Sequence, residues 1–297
     1  MYVDTAGSTT HFGHREQRHG ARRALTFLAR RPLGCLAAGS LVFLTLVSTF
    51  APLLATQDPV EYDYTVRLQG PSTQHWFGTD DYGRDVYSRI VFGGRISLGL
   101  ALTSMALASI VGCVGGVLSG YIGGWFDTLV QRGVEVFLSF PTIILALLLV
   151  ATFGAGLDKI VLALGIVFIP RVVRLIRGSA LVAKVNVWVE AARSIGASHK
   201  RIMFVHVLPT VLPPLIVFVS ITSGSVVLVE ATLSFLGLGV PPPTPSWGAM
   251  LSGSSKQYMV AAPWLAIFPG MAITLTVLAF NLLGDAVRDY LDPKLRD

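Results

Sequence analysis

The sequence predicts an all-α membrane protein with six transmembrane helices and both termini on one side. Three observations predict it. Apolar residues make up 53% of the 297-residue chain and charged residues 13%, against about 25% charge in an ordinary soluble domain. The apolar residues gather in runs that carry no charge, at 32–57, 96–126, 136–157, 160–170, 207–229 and 257–284. The basic residues sit at the ends of those runs, where they set topology. The net charge of +6 is therefore read as an orientation signal rather than a nucleic-acid face, and no nucleic-acid partner is expected.

Residues 1–31 are polar and basic, with Arg15, Arg18, Arg22, Arg23, Arg30 and Arg31. They read as a mobile cytoplasmic tail ending in a basic anchor. His11, His14 and His19 are too loosely spaced to argue for a metal. No small-residue cleavage site follows, and the next run is long enough to span, so a signal peptide is not expected.

A span needs about 20 apolar residues at about 1.5 Å each. Run 160–170 is too short alone. It spans only if it continues through Arg171, Arg174 and Arg177, whose guanidinium groups share a helix face and snorkel to the headgroups. Counting it as a span gathers the basic majority on one side: the tail, Arg132, the basic residues of 171–201, Arg288, Lys294 and Arg296. The other side keeps Arg67, Arg84, Arg89, Arg95, Lys159 and Lys256 beside Asp58, Glu61, Asp63, Asp80, Asp81 and Asp85. The expected organisation is a cytoplasmic tail at 1–31, a first transmembrane helix at 32–57 and an external loop at 58–94. A five-helix core follows at 95–286 with a cytoplasmic loop at 178–208, then a cytoplasmic tail at 287–297.

In the external loop, Gly78 and Gly83 suit tight turns, and Trp76, Phe77 and Tyr82 suit an interface belt. Asp80, Asp81 and Asp85 lack the spacing of a calcium loop, so they read as a turn network or a contact for a protein outside. In a second external segment, Pro241, Pro242 and Pro243 forbid a helix. Cys35 and Cys113 lie in apolar runs and read as small buried hydrophobes, with no disulfide or metal site.

The longest charge-bearing stretch in the second half runs from Val189 to Ser198 and on to Pro209. Helix is expected over 186–195, with Val185, Val189, Ala192 and Ile195 as one apolar stripe and Gly196 as its stop. Ser198 caps a second short helix over 199–204, and Pro209 bends the chain at re-entry. Physical pattern alone leaves two readings open: a docking knob for another protein, or an amphipathic helix on lipid.

Glu190-Ala191-Ala192, Gly196 and Leu208-Pro209 resemble the E-A-A-x-x-x-G…L-P loop of permease subunits in binding-protein-dependent ABC importers. Four further stretches are similar to the C-type permease of dipeptide, oligopeptide and nickel importers: 76–85, 233–239, 245–248 and 281–285. The likeness covers about residues 33–293. It implies the type I importer (MetI-like) permease fold in a bacterial inner membrane. It implies that Glu190, Ala191, Ala192, Ser194, Ile195, Gly196 and Ala197 couple to two cytoplasmic ATPase subunits, which bind ATP and Mg. It also implies a second homologous permease as heterodimer partner and an extracytoplasmic substrate-binding protein, with Asp80, Asp81, Arg84, Asp85 and Trp247 as candidate contacts at the external mouth. The implied cargo is dipeptides or oligopeptides, with nickel chelate, glutathione or haem as alternatives.

This chain is expected to be non-catalytic and free of cofactor. It has no G-x-x-x-x-G-K-[ST] sequence to cradle ATP, and Gly112, Gly115 and Gly116 lie in a span, where small residues serve helix packing. Glu230 is the one carboxylate deep in an apolar context. It is a candidate for the translocation path by default, against an outer-interface carboxylate paired with Lys256 or a backbone donor. A stand-alone secondary transporter would need more intramembrane charge than Glu230. An intramembrane enzyme would need a Ser/His or paired-Asp set, and no His lies in any run.

Overall fold

The computed structural model describes residues 32–252 and 257–291. The tail 1–31, Lys256 and residues 292–297 lie outside the described residues. Among those described, the structure is helical and joined by loops, with only an isolated bridge between Thr79 and Asp85 outside the helices.

Helix α1 spans Pro32–Thr49 and continues into the single turn Ala51–Leu54. A loop then leads to α2, Val86–Ile122. This 37-residue helix starts well ahead of the apolar run because the Asp85 carboxylate accepts the Ser88 N–H at 2.8 Å, satisfying an otherwise orphaned donor of the first turn. Residues 86–94, expected in the external loop, are therefore helix.

The run 136–157, expected as one continuous span, is shared by two helices. α3 (Gly124–Leu138) and α4 (Thr142–Phe153) meet at an angle of 93°. Pro141 stands at the break with ψ 132°, and with no N–H and an extended backbone it cannot carry the helix through.

Helix α5, Leu157–Lys184, runs unbroken past Pro170 and the three arginines. The arginines do not act together. The Arg177 guanidinium is bound to Asp127 of α3. Arg171 donates to the Thr142 hydroxyl and lies 5.2 Å from the centre of the Phe168 ring. Arg174 alone is exposed. Snorkelling is expected of all three, but Arg171 and Arg177 find protein partners on α3, α4 and their own helix.

The chain continues through α6 (Val187–Ser194), α7 (Leu208–Phe235), the short α8 (Trp247–Leu251) and α9 (Trp264–Leu291). Among the described residues, four stretches are long and apolar enough to cross a membrane: Pro32–Thr49, Val86–Ile122, His199–Phe235 and Trp264–Leu291. The bent α3–α4 pair makes a fifth if counted as one span.

Close helix approach is set by glycines. Gly112, Gly116 and Gly120 repeat every fourth residue along α2, so they share a face. A Cβ at these positions would come within 2.5 Å of Val172 Cβ, 2.7 Å of Ile176 Cβ and 2.8 Å of the Arg177 carbonyl oxygen on α5. In an apolar solvent the association of helices depends on such packing. The glycines of this run serve packing, as their place in a span predicted. Gly224 does the same for α7 against Val277 and Phe280 of α9. The core runs between α2, α5 and α7, with Met105, Leu164, Phe168, Ile176 and Val226 buried in it.

Candidate functional site: a knob and a cap at opposite ends of α2

Two polar assemblies flank the bundle. One gathers around α6, beside Tyr121 in the last turn of α2. The other gathers around Asp80 and Asp85, where α2 begins. At about 1.5 Å per residue the two ends of α2 stand about 55 Å apart.

The α6 knob is built by its stop signal. Gly196 has φ +83°, its N–H bonds to the Arg193 carbonyl at 3.0 Å, and the Ala197 N–H bonds to the Ala192 carbonyl at 3.0 Å. This pair of bonds is the Schellman closure, which leaves no slack at the helix end. Ser198 then accepts the Arg201 N–H at 3.4 Å and caps the turn His199–Arg201.

The apolar stripe holds only in its middle. Val189 and Ala192 are buried, whereas Val185 is 80% and Ile195 86% exposed. The helix is two turns long, so the outer members of the stripe fall beyond the surface it packs on. Of the residues implied to couple, Ala192 is buried, Ala197 is half-buried, and Glu190, Ala191, Ser194, Ile195 and Gly196 are exposed.

Pro209 does not bend the chain. A π-helical turn over Ile202–Val207 joins directly to α7. Its wider bond, from the Leu208 N–H to the Met203 carbonyl, fits the absence of a donor at Pro209 without a break.

The cap at the other end is a closed network. Asp80 accepts the N–H of Tyr82 at 2.9 Å and of Arg84 at 3.0 Å, and the Arg84 Nε at 2.7 Å. Arg89 Nε lies 3.6 Å from the same carboxylate, and its Nη1 donates to the Pro59 carbonyl at 2.8 Å. Asp85 meets His75 Nδ1 at 3.1 Å. Nearby, Asp63 accepts the Thr65 hydroxyl and N–H, and these bonds, the hydroxyl first, hold its carboxyl below its ordinary value.

The Trp247 indole donates to the Ile90 carbonyl at 2.9 Å. Asp80, Arg84, Asp85 and Trp247 are all buried, with their polar groups bonded within the chain. A side chain whose donors and acceptors are used within the chain has little left for a partner. Asp81 differs. It is half-buried, its Oδ1 accepts no hydrogen bond, and it lines a cavity of about 530 Å³ with Tyr62, Tyr82, Arg89 and Ser252.

Glu230 is fully buried at 0% exposure. Its Oε1 accepts the Ser234 hydroxyl at 2.8 Å, and Ser97 and Ser246 stand beside the carboxyl. The candidate for the translocation path thus faces a serine cluster in this structure.

Sequence reasoning missed Asp127, which joins Arg177, and Ser119, which donates to the same Asp127 oxygen. It also missed the pairing of Tyr121 with His199. One signal was available: Asp127 is an acid at a run end, seven residues after Gly120 on a helix of its own. No group of three metal-ligating side chains gathers among the described residues.

The family described as "Binding-protein-dependent transport system inner membrane component" matches residues 112–297, more than half of the chain. The chain belongs to this family. As an inner membrane component with several apolar helices, it is a multi-pass membrane protein. The family match begins within α2 and takes in the α6 knob and every later helix, whereas the Asp80 cap precedes it.

Among curated relatives, the dipeptide transport system permease protein DppC of Alkalihalophilus pseudofirmus is 41% identical over 275 residues, covering 93% of this chain and 90% of that protein. The glutathione transport system permease protein GsiD of Pectobacterium atrosepticum is 46% identical over 262 residues, covering 88% and 87%. The protein of the same name from Escherichia coli is 44% identical over 268 residues, covering 90% and 88%.

Proposed function

We propose that the chain is the permease subunit of an ATP-driven importer for short peptides, and that α6 is its docking knob for a cytoplasmic ATPase. One observation carries the docking role: a two-turn helix, locked by its Schellman closure, presents Glu190, Val187, Trp188 and Ile195 outward while Val189 and Ala192 hold it to the bundle. The family supports an assembly with ATPase subunits and a substrate-binding protein.

The bundle crosses the membrane six times in this reading. α1, α2, the bent α3–α4 pair, α5, α7 and α9 are the crossings, both termini are cytoplasmic, and the second permease is a homologue of this chain. The placing of knob and cap at opposite ends of α2 supports that parity. ATP and Mg belong to the partner subunits.

The cargo is a di- or tripeptide. One similar permease is named for dipeptides and another for glutathione, itself a tripeptide; nickel chelate and haem remain the alternatives to test.

The test is purification of the tagged chain followed by uptake in proteoliposomes. Two ATPase chains and a second permease are expected to copurify, and radiolabelled dialanine or glutathione to enter only with ATP and a binding protein. Purification alone, with uptake independent of ATP, overturns the importer reading in favour of a secondary transporter.

A further inference from the structure

Tyr121 occupies the last turn of α2 and is 6% exposed. A buried tyrosine hydroxyl needs a partner, and this one finds it 78 residues away. Its oxygen lies 2.9 Å from His199 Nδ1, a hydrogen bond whose direction follows the histidine tautomer. The two rings meet edge to face, with centroids 5.9 Å apart at 70°. On the same tyrosine, Lys184 Nζ stands 5.7 Å from the ring centre, within cation–π range.

The placement of these two partners is the informative part. Lys184 is the last residue of α5, just before the knob, and His199 begins the turn just after it. The chain enters and leaves the α6 knob past one buried side chain. Adjacent contacts tighten the same corner. Ser119, two residues before Tyr121, donates to Asp127, and Arg177 of α5 binds that carboxylate. The knob's stems are thus tied to the end of α2, which runs as one helix to the Asp80 cap. A rigid helix with two packed ends is the kind of element through which coupling travels.

We infer that Tyr121 is a positioning residue for coupling: it clasps both stems of the α6 knob and passes the knob's displacement into α2. The inference rests on the reading of α6 as the ATPase docking knob. Loss of the clasp leaves the assembly intact but lets the ATPases cycle without moving α2, so more ATP is hydrolysed per substrate imported.

The experiment uses the complete importer in proteoliposomes, with radiolabelled dialanine and glutathione each tried as probe, and reads ATP hydrolysed per molecule imported. Tyr121→Phe and His199→Ala are each expected to raise that ratio about two- to tenfold, the range one hydrogen bond commands. The double variant is expected to be no worse than the poorer single one. His199→Asn, whose amide sits near the position of Nδ1, is expected to restore most of the coupling. An unchanged ratio in both single variants overturns the clasp, as does a double variant whose effect is the product of the two. A fall in complex yield at unchanged ratio also overturns it, because that is what a merely structural contact produces. Gly196→Asp in the same preparation separates the two readings. If it uncouples transport and Tyr121→Phe does not, the clasp fails and the knob stands; if it changes neither uptake nor hydrolysis, the knob itself fails.

Discussion

Arg177 grips Asp127 with two nitrogens at once, Nε to Oδ1 and Nη2 to Oδ2, both at 2.6 Å. The contact joins α5 to α3 across 50 residues of sequence. Lysine offers a point charge where arginine offers a planar fork. Arg177→Lys is expected to lower stability by about 1 kcal/mol, below the usual range for charged hydrogen bonds because the pair is partly exposed. Thermal unfolding of the detergent-solubilised chain checks it, and an unshifted Tm refutes a stabilising role for the fork.

Two glycines with positive φ are held for different reasons, and substitution separates them. Gly83 has φ +76°, and a Cβ there would overlap the Asp63 carbonyl oxygen. Gly196 has φ +83° with no atom within 4 Å of its Cβ position. Gly83→Ala is expected to cost about 2–3 kcal/mol from strain and overlap together. Gly196→Ala costs about 1 kcal/mol from the dihedral alone, and Gly196→Asn less, since asparagine tolerates that region. Equal losses at the two sites in paired denaturation measurements would refute the distinction.

Glu230 tests whether burial or transport keeps an intramembrane carboxyl. Glu230→Gln retains an acceptor for the Ser234 hydroxyl and is expected to leave dialanine or glutathione uptake within about twofold of the parent. Glu230→Ala leaves Ser234 without its partner and opens a void, and it is expected to reduce the folded yield. Loss of uptake in Glu230→Gln at normal yield would place Glu230 in the translocation path.

The exposed face of α6 is checked by charge reversal. Glu190→Lys replaces an outward acceptor with a cation and leaves Val189 and Ala192 in place. It is expected to reduce ATP-driven uptake at least about tenfold, the scale of one lost charged hydrogen bond at an interface, with normal membrane insertion. Unchanged uptake counts against the docking role.

The sequence by itself determined the helical class, the order of the apolar segments, the short helix with its Gly196 stop and the small-residue packing face of α2. These are local properties. Run length, a glycine that accepts positive φ, and a four-residue spacing all act within a few turns of chain. Tertiary structure alone decided where the charges go. Trp247 reaches the Ile90 carbonyl across 157 residues, Asp80 binds Arg84 with Arg89 beside it, and Asp85 binds His75 and the Ser88 N–H. The break at Pro141 and the π-turn before Pro209 divide the same way. Each proline announces a missing donor, but whether the chain bends or widens depends on what packs around it. Buried polar groups must find partners wherever the fold brings them, and no local pattern in the sequence records that distance.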